Sequence, residues 1–123
     1  MTTSEIAERL VALCRQGNFE TAHRELFATE AISMEPYATA AFPKETKGLN
    51  AILEKGQQFA VMIDEVHSIT VSEPLVAGSA FACAMHLDLT IKRHGRMSVN
   101  ELCIYEVKDG KIISEQFTSR FHV

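Results

Sequence analysis

Cysteine is scarce and does not pair. Cys14, Cys83 and Cys103 are the only three in 123 residues, an odd set with no Cys-x-x-Cys spacing. A disulfide framework wants an even count and a zinc knuckle wants paired spacing, so neither is expected. Each thiol sits among apolar neighbours and reads as a small buried hydrophobe in a reducing cytoplasm. Long apolar runs are missing too. The longest uncharged stretch, Pro74–Leu87 with His86 counted as neutral, has 14 residues, whereas a membrane-spanning helix needs roughly 20. Met1-Thr2-Thr3-Ser4-Glu5 has neither the basic start nor the apolar run of a signal peptide. Positive charge is in deficit, with 12 Lys and Arg against 16 Asp and Glu for a net charge of −4. That argues against a nucleic-acid footprint and against an anionic membrane surface. Internal repeats, low-complexity linkers, a P-loop, a dinucleotide fingerprint and a serine triad are also lacking.

What remains is ordinary globular composition, 46% hydrophobic and 23% charged, in a chain long enough for one core and one domain, residues 1–123. Ile6, Leu10, Leu13 and Cys14 form one helical stripe, with a possible capping box at Thr2/Glu5 and a stop at Gly17. Asn18 is placed to cap a short second helix with Phe19, Ala22, Leu26 and Phe27 on its apolar side and His23 on its polar side. Ala31–Tyr37 reads as a short strand that Pro36 distorts, followed by a loop to Lys47. A third helix, capped near Thr46, carries Leu49, Ile52, Leu53 and Phe59. Gly56 weakens it by about 1 kcal/mol relative to Ala unless a neighbour needs the space. From Asp64 the period becomes two: Asp64–Glu73, a long strand Val76–Arg93, Met97–Val107 and Lys111–Phe121, joined at Pro74, His94-Gly95 and Asp109-Gly110. The predicted fold is α+β, three helices laid across a curved antiparallel sheet.

Glu101-Leu-Cys-Ile-Tyr105-Glu-Val-Lys-Asp-Gly110-Lys-Ile-Ile-Ser-Glu115-Gln-Phe117, Thr46-Lys47-Gly48-Leu49 and Glu35-Pro36 resemble the penultimate strand, turn, final strand, third-helix entry and acidic-Pro pair of the nuclear transport factor two-like superfamily, in its SnoaL-like branch. The resemblance covers nearly the whole chain. It implies a cone-shaped α+β barrel of cystatin-like topology that encloses a pocket, and a homodimer formed through the outer face of the sheet. It names no reaction, because relatives include isomerases, dehydratases, epoxide hydrolases, polyketide cyclases and non-catalytic modules. Glu35 resembles the Asp base of ketosteroid isomerases. That family's oxyanion donors, a Tyr and a protonated Asp, fall near Leu10 and Cys103 here, so steroid isomerisation is not expected. Enolisation chemistry would require a different donor.

If His94-Gly95 is a two-residue loop, Asp88 lies opposite Glu101, His86 opposite Cys103 and Ala84 opposite Tyr105. A three-residue loop with Gly110 at a bulge would bring Glu115 and Phe117 to the same face, whereas a two-residue loop would bring Gln116 and Thr118. The candidate catalytic carboxyls are therefore Glu35, Asp88, Glu101 and Glu115: paired acids repel, one pKa rises, and an acid and a base become available together. His86, Tyr105, Phe117, Tyr37 and Phe59 are the candidate substrate contacts. The same strand face could instead meet solvent or a partner, since alternation marks any half-buried strand. His86, Asp88 and Glu101 offer nitrogen and oxygen ligands, but without ligand spacing neither a metal nor any other cofactor is expected. Three functions stay open: an isomerase, cyclase or hydrolase on a small, largely apolar or carbonyl-containing molecule, a non-catalytic binder with the same pocket, or a homodimeric association module.

Overall fold

The computed structural model describes all residues, 1–123. Helix α1 spans Thr3–Arg15 and starts in the predicted capping box, Thr2 and Glu5 each closing on the other's backbone. It ends at Gly17, whose φ of 75° places it in the left-handed region. The Gly17 and Asn18 N–H groups return to the carbonyls of Cys14 and Leu13, a Schellman stop that favours glycine. Helix α2 (Phe19–Leu26) has Asn18 at its N-cap position, but the Asn18 side chain bonds Gln16 rather than the helix. Strands β1 (Phe27–Met34) and β2 (Glu45–Lys47) precede α3 (Leu49–Ala60), which is entered through Gly48 rather than capped by Thr46. Strands β3 (Ile63–Val71), β4 (Leu75–Ala77), β5 (Ala80–Ile91), β6 (Gly95–Lys108) and β7 (Lys111–Phe117) complete the chain. The long strand expected over 76–93 is thus two, broken at Gly78-Ser79, with β4 folded back on β5.

The sheet runs β2-β1-β7-β6-β5-β3. It is antiparallel throughout except that β1 lies parallel to β7. Its inner face packs on the helices through a main cluster that includes Ile6, Leu10, Ile52, Phe81 and Tyr105. A smaller cluster (Phe42, Leu89, Ile91, Val99, Phe121 and Val123) closes the other end.

Both hairpin registers differ from the sequence expectation. Ile91 pairs with Gly95, so the β5–β6 loop is Lys92-Arg93-His94, with Arg93 at φ 68°. Glu101 lies opposite Met85, Cys103 opposite Cys83 and Tyr105 opposite Phe81, while Asp88 meets Ser98 and His86 meets Asn100. An odd register shift exchanges faces, so Asp88 and His86 leave the Glu101 face. At the next turn Asp109-Gly110 is a two-residue loop with φ positive at both positions, the geometry of a type I′ hairpin. Ile113 is then bulged between the Val107/Ile112 and Glu106/Ser114 pairs. The bulge reverses the alternation, so Glu115 and Phe117 do share the inner face with Tyr105 and Cys103, two residues out of the expected register.

Candidate active site

Between the helices and the inner sheet face lies a two-lobed cavity. The larger lobe, about 350 Å³ and mostly apolar, reaches from Phe19 and Leu53 to Ile69 and Tyr105. The smaller, about 170 Å³, is bounded by Phe42, Val99, Lys55, Glu35 and Arg120. His23, Gly56, Phe59, Leu87, Glu101, Glu115 and Phe117 border both and so form the neck. The larger lobe alone is within the range of small-molecule sites.

Of the residues singled out from sequence, Glu101, Glu115, Phe59 and Phe117 meet at this neck, Tyr105 lines the larger lobe and Glu35 the smaller. Asp88 and His86 do not join them. On the outer face Asp88 is gripped by Arg96 at 2.9 and 3.1 Å, and His86 Nδ1 lies 2.7 Å from Asn100 Oδ1. Tyr37 is 41% exposed, borders neither lobe and leans on the His122 ring.

Six polar residues at the site were not among the candidates: His23, Ser33, Lys55 and Arg120, with Glu20 and Gln57, which bond each other beside the larger lobe. Two of them carried a readable signal. Phe19, Ala22, His23 and Leu26 fall at i, i+3, i+4 and i+7, as do Ile52, Lys55, Gly56 and Phe59, so His23 and Lys55 belong to the buried stripes of their helices. Gly56 borders both lobes, and a Cβ there would meet nothing within 4 Å, so no neighbour needs the space.

The three inner carboxyls have different partners. Glu115, 3% exposed, accepts from Ser33 Oγ at 2.8 Å and lies 3.4 Å from His23 Nε2. Burial pushes its pKa up, but His23, Lys55 and Ser33 together outweigh burial and hold it below the ordinary carboxylate value. Glu35 is paired with Lys55 Nζ at 3.5 Å and Arg120 Nε at 3.8 Å. Burial still wins there, and its carboxyl is raised. Glu101 has no cation. Its partner is the Cys103 thiol at 3.8 Å, and burial, reinforced by repulsion from Glu35 and Glu115, pushes it up to about 8. Near neutral pH the neck therefore holds a carboxylic acid, Glu101, beside a carboxylate, Glu115: a proton donor and a negative charge on one cavity wall.

A family model described as a SnoaL-like domain matches residues 1–119. The chain belongs to the SnoaL-like domain family. A crystal structure from Mesorhizobium loti, whose given name proposes a SnoaL-like polyketide cyclase, is 34% identical, with 95% of this chain and 98% of that one aligned at a TM-score of 0.86. A Xanthomonas campestris protein of unknown function with a cystatin-like fold aligns over 99% and 93% of the two chains at 15% identity and TM-score 0.77. A Catenulispora acidiphila protein with a ketosteroid isomerase-like fold, solved in complex with trimethylamine, aligns over 97% and 88% at 21% identity and TM-score 0.72. No curated protein sequence matches. The α+β cone is thus the fold of this SnoaL-like chain. Within it, Leu10 lines the larger lobe and Cys103 is fully buried, so the two positions where the ketosteroid isomerase resemblance expects oxyanion donors hold an alkyl group and a thiol. No helix is long and apolar enough to cross a membrane.

Proposed function

We propose that this SnoaL-like protein is an acid–base enzyme, an isomerase, cyclase or hydrolase acting on a small, largely apolar molecule with a carbonyl-type oxygen. The observation that carries this reading is Glu101, a carboxyl on the neck of an apolar cavity with no cationic partner. Protonated, it is the hydrogen-bond and proton donor that Leu10 and Cys103 do not supply. Glu35 and Glu115 provide negative charge on the accepting side. The apolar lobe holds the body of the substrate, with Tyr105, Phe59 and Phe117 as its walls.

The test is α-proton exchange of a panel of ketones, lactones and enones in D2O, followed by NMR. Exchange by the wild type should fall by about 10²–10⁴-fold in Glu101→Gln, the usual contribution of a positioned acid, and should decline above about pH 8 as Glu101 ionises. An unaffected Glu101→Gln rate would remove Glu101 from the chemistry.

One observation favours a second, non-catalytic reading. Glu101, a carboxyl without a cation that would ionise opposite a bound positive charge, lies with the phenyl rings of Phe59 and Phe117 and suits a small organic cation, and the Catenulispora neighbour holds trimethylamine. A thermal shift with trimethylamine that Glu101→Gln abolishes, together with no exchange activity, would establish the binder in place of the enzyme.

The protein is further proposed to be a cytoplasmic homodimer. The three free buried thiols fit a reducing compartment. On the outer sheet face Leu102 and Ile104 are 50% and 39% exposed beside Ala84 and Ala82, an apolar strip that a second copy would cover. Sedimentation velocity of wild type and Leu102→Lys/Ile104→Lys checks this. A dimer that the charges dissociate is expected, and a monomeric wild type would rule the interface out.

A further inference from the structure

Sequence reasoning put His23 on the polar side of α2, yet its ring lies inside, bordering both lobes of the cavity. The ring packs edge-to-face on Phe27 at 4.7 Å, and Nε2 lies 3.4 Å from Glu115 Oε1. That carboxylate is itself held. Ser33 Oγ donates to the same oxygen at 2.8 Å, and Lys55 Nζ donates to Ser33 Oγ at 3.0 Å. Four elements, α2, β7, β1 and α3, thus meet in one chain of contacts whose end at the neck is an imidazole. Glu35, the other candidate base, is already tied to Lys55 and Arg120.

We infer that His23 is the proton acceptor of this site and that Glu115 is its positioning carboxylate. The inference rests on the acid–base reading above. In the neutral tautomer that carries its hydrogen on Nε2, the nitrogen 3.4 Å from Glu115 Oε1, the lone pair lies on Nδ1. Nδ1 takes a proton from the carbon next to the substrate carbonyl; the C–H electron pair becomes the C=C bond of the enol, and the carbonyl π pair takes the proton of Glu101. Delivery of the His23 proton to a different carbon of a conjugated enol, with the enol O–H proton returned to Glu101 as the C=O re-forms, completes an isomerisation and restores both residues, and no oxidant or further reactant is needed. The imidazolium formed in the first half lies against the Glu115 carboxylate, which stabilises it much as a buried Asp stabilises a catalytic histidine in a triad. The charged groups around His23 are Glu115 from β7, Glu101 from β6, Lys55 from α3 through Ser33, and Glu20 from its own helix.

The experiment combines activity with a readout that needs no substrate. Multiple-bond ¹⁵N–¹H spectra of the wild type, with the His23 signals assigned by their loss in His23→Ala, should show the Nε2–H tautomer, and Glu115→Gln should shift the ring-nitrogen signals. In the exchange assay His23→Ala should lose about 10²–10⁴-fold in rate and regain part of it on addition of free imidazole. Glu115→Gln should lower kcat with little change in KM and move the acidic limb of the pH profile. An Nδ1–H tautomer, or signals indifferent to Glu115→Gln, would overturn the couple. An active wild type with an equally active His23→Ala would overturn the base assignment alone. A wild type inactive on the whole panel would overturn the enolisation step and the base role with it, whatever the tautomer.

Discussion

Glu101→Gln should melt on the order of 10 °C above the wild type at pH 8 and coincide with it at pH 5. Burial, then repulsion from Glu35 and Glu115, raises the Glu101 pKa from an ordinary 4.5 to about 8. Between those values the folded chain keeps a proton that the unfolded chain has released, so stability falls as pH rises through this window. The slope is about 1.4 kcal/mol per pH unit for one proton, or roughly 3–4 kcal/mol between pH 5 and 8. Glutamine has the same shape, stays neutral at every pH and does not incur this loss. Calorimetric melts of both proteins at the two pH values measure the difference directly. Curves that fall in parallel would mean that Glu101 titrates normally, and the acid of the proposed mechanism would be lost with it. The argument links stability to function: a neutral acid is kept ready in an apolar neck, and the fold is weakened on the alkaline side.

The ends of α1, the main hairpin strands and the α+β layering were legible because each depends on local chemistry, whereas Phe27 opens β1 instead of continuing α2 and Glu45–Lys47 pairs as β2 inside the expected loop. The Thr2/Glu5 box and the left-handed Gly17 are decided by their own few residues. Face assignment was not legible, because it depends on counting across turns. His94-Gly95 has the composition of a two-residue hairpin loop, but Arg93 takes a positive φ as well as Gly95, and Gly95 is already paired in β6. That change moves Asp88 and His86 to the far side of the sheet. At the second hairpin the turn type follows from Asp109-Gly110, yet the bulge at Ile113 has no residue signature and restores Glu115 to the inner face. His23 and Lys55 are a different case. Their positions on the helical stripes were readable, and only the habit of assigning polar residues to solvent hid them. A polar residue on an apolar stripe is informative, and here two such residues meet one buried carboxylate network.

Lys55→Met should cost about 3–5 kcal/mol at pH 8, the range for breaking a buried ion pair from one side, and less at pH 5. The carboxylates of Glu35 and Glu115 face the cations Lys55 and Arg120. The Lys55 and Arg120 side chains are 17% and 8% exposed, so solvent cannot replace a lost charge cheaply. Met keeps most of the methylene packing and removes only the ammonium. Glu35, already raised by burial and lowered by Lys55, is then raised further. A raised carboxyl contributes a loss of stability that grows with pH and disappears once the folded group takes up its proton. Adding Glu35→Gln to Lys55→Met should therefore recover much of the loss. It removes a buried charge left with Arg120 alone, and Arg120 keeps its bonds to the carbonyls of Tyr37 at 2.6 Å and Pro43 at 3.2 Å. Urea unfolding of the four proteins of this cycle at both pH values gives the coupling energy. A loss that is independent of pH and additive with Glu35→Gln would show that Lys55 contributes through its alkyl chain alone. A coupled loss that vanishes at acid pH would show that the neck is held together by charge balance, the condition under which Glu101 stays neutral and Glu115 stays ionised on the same wall.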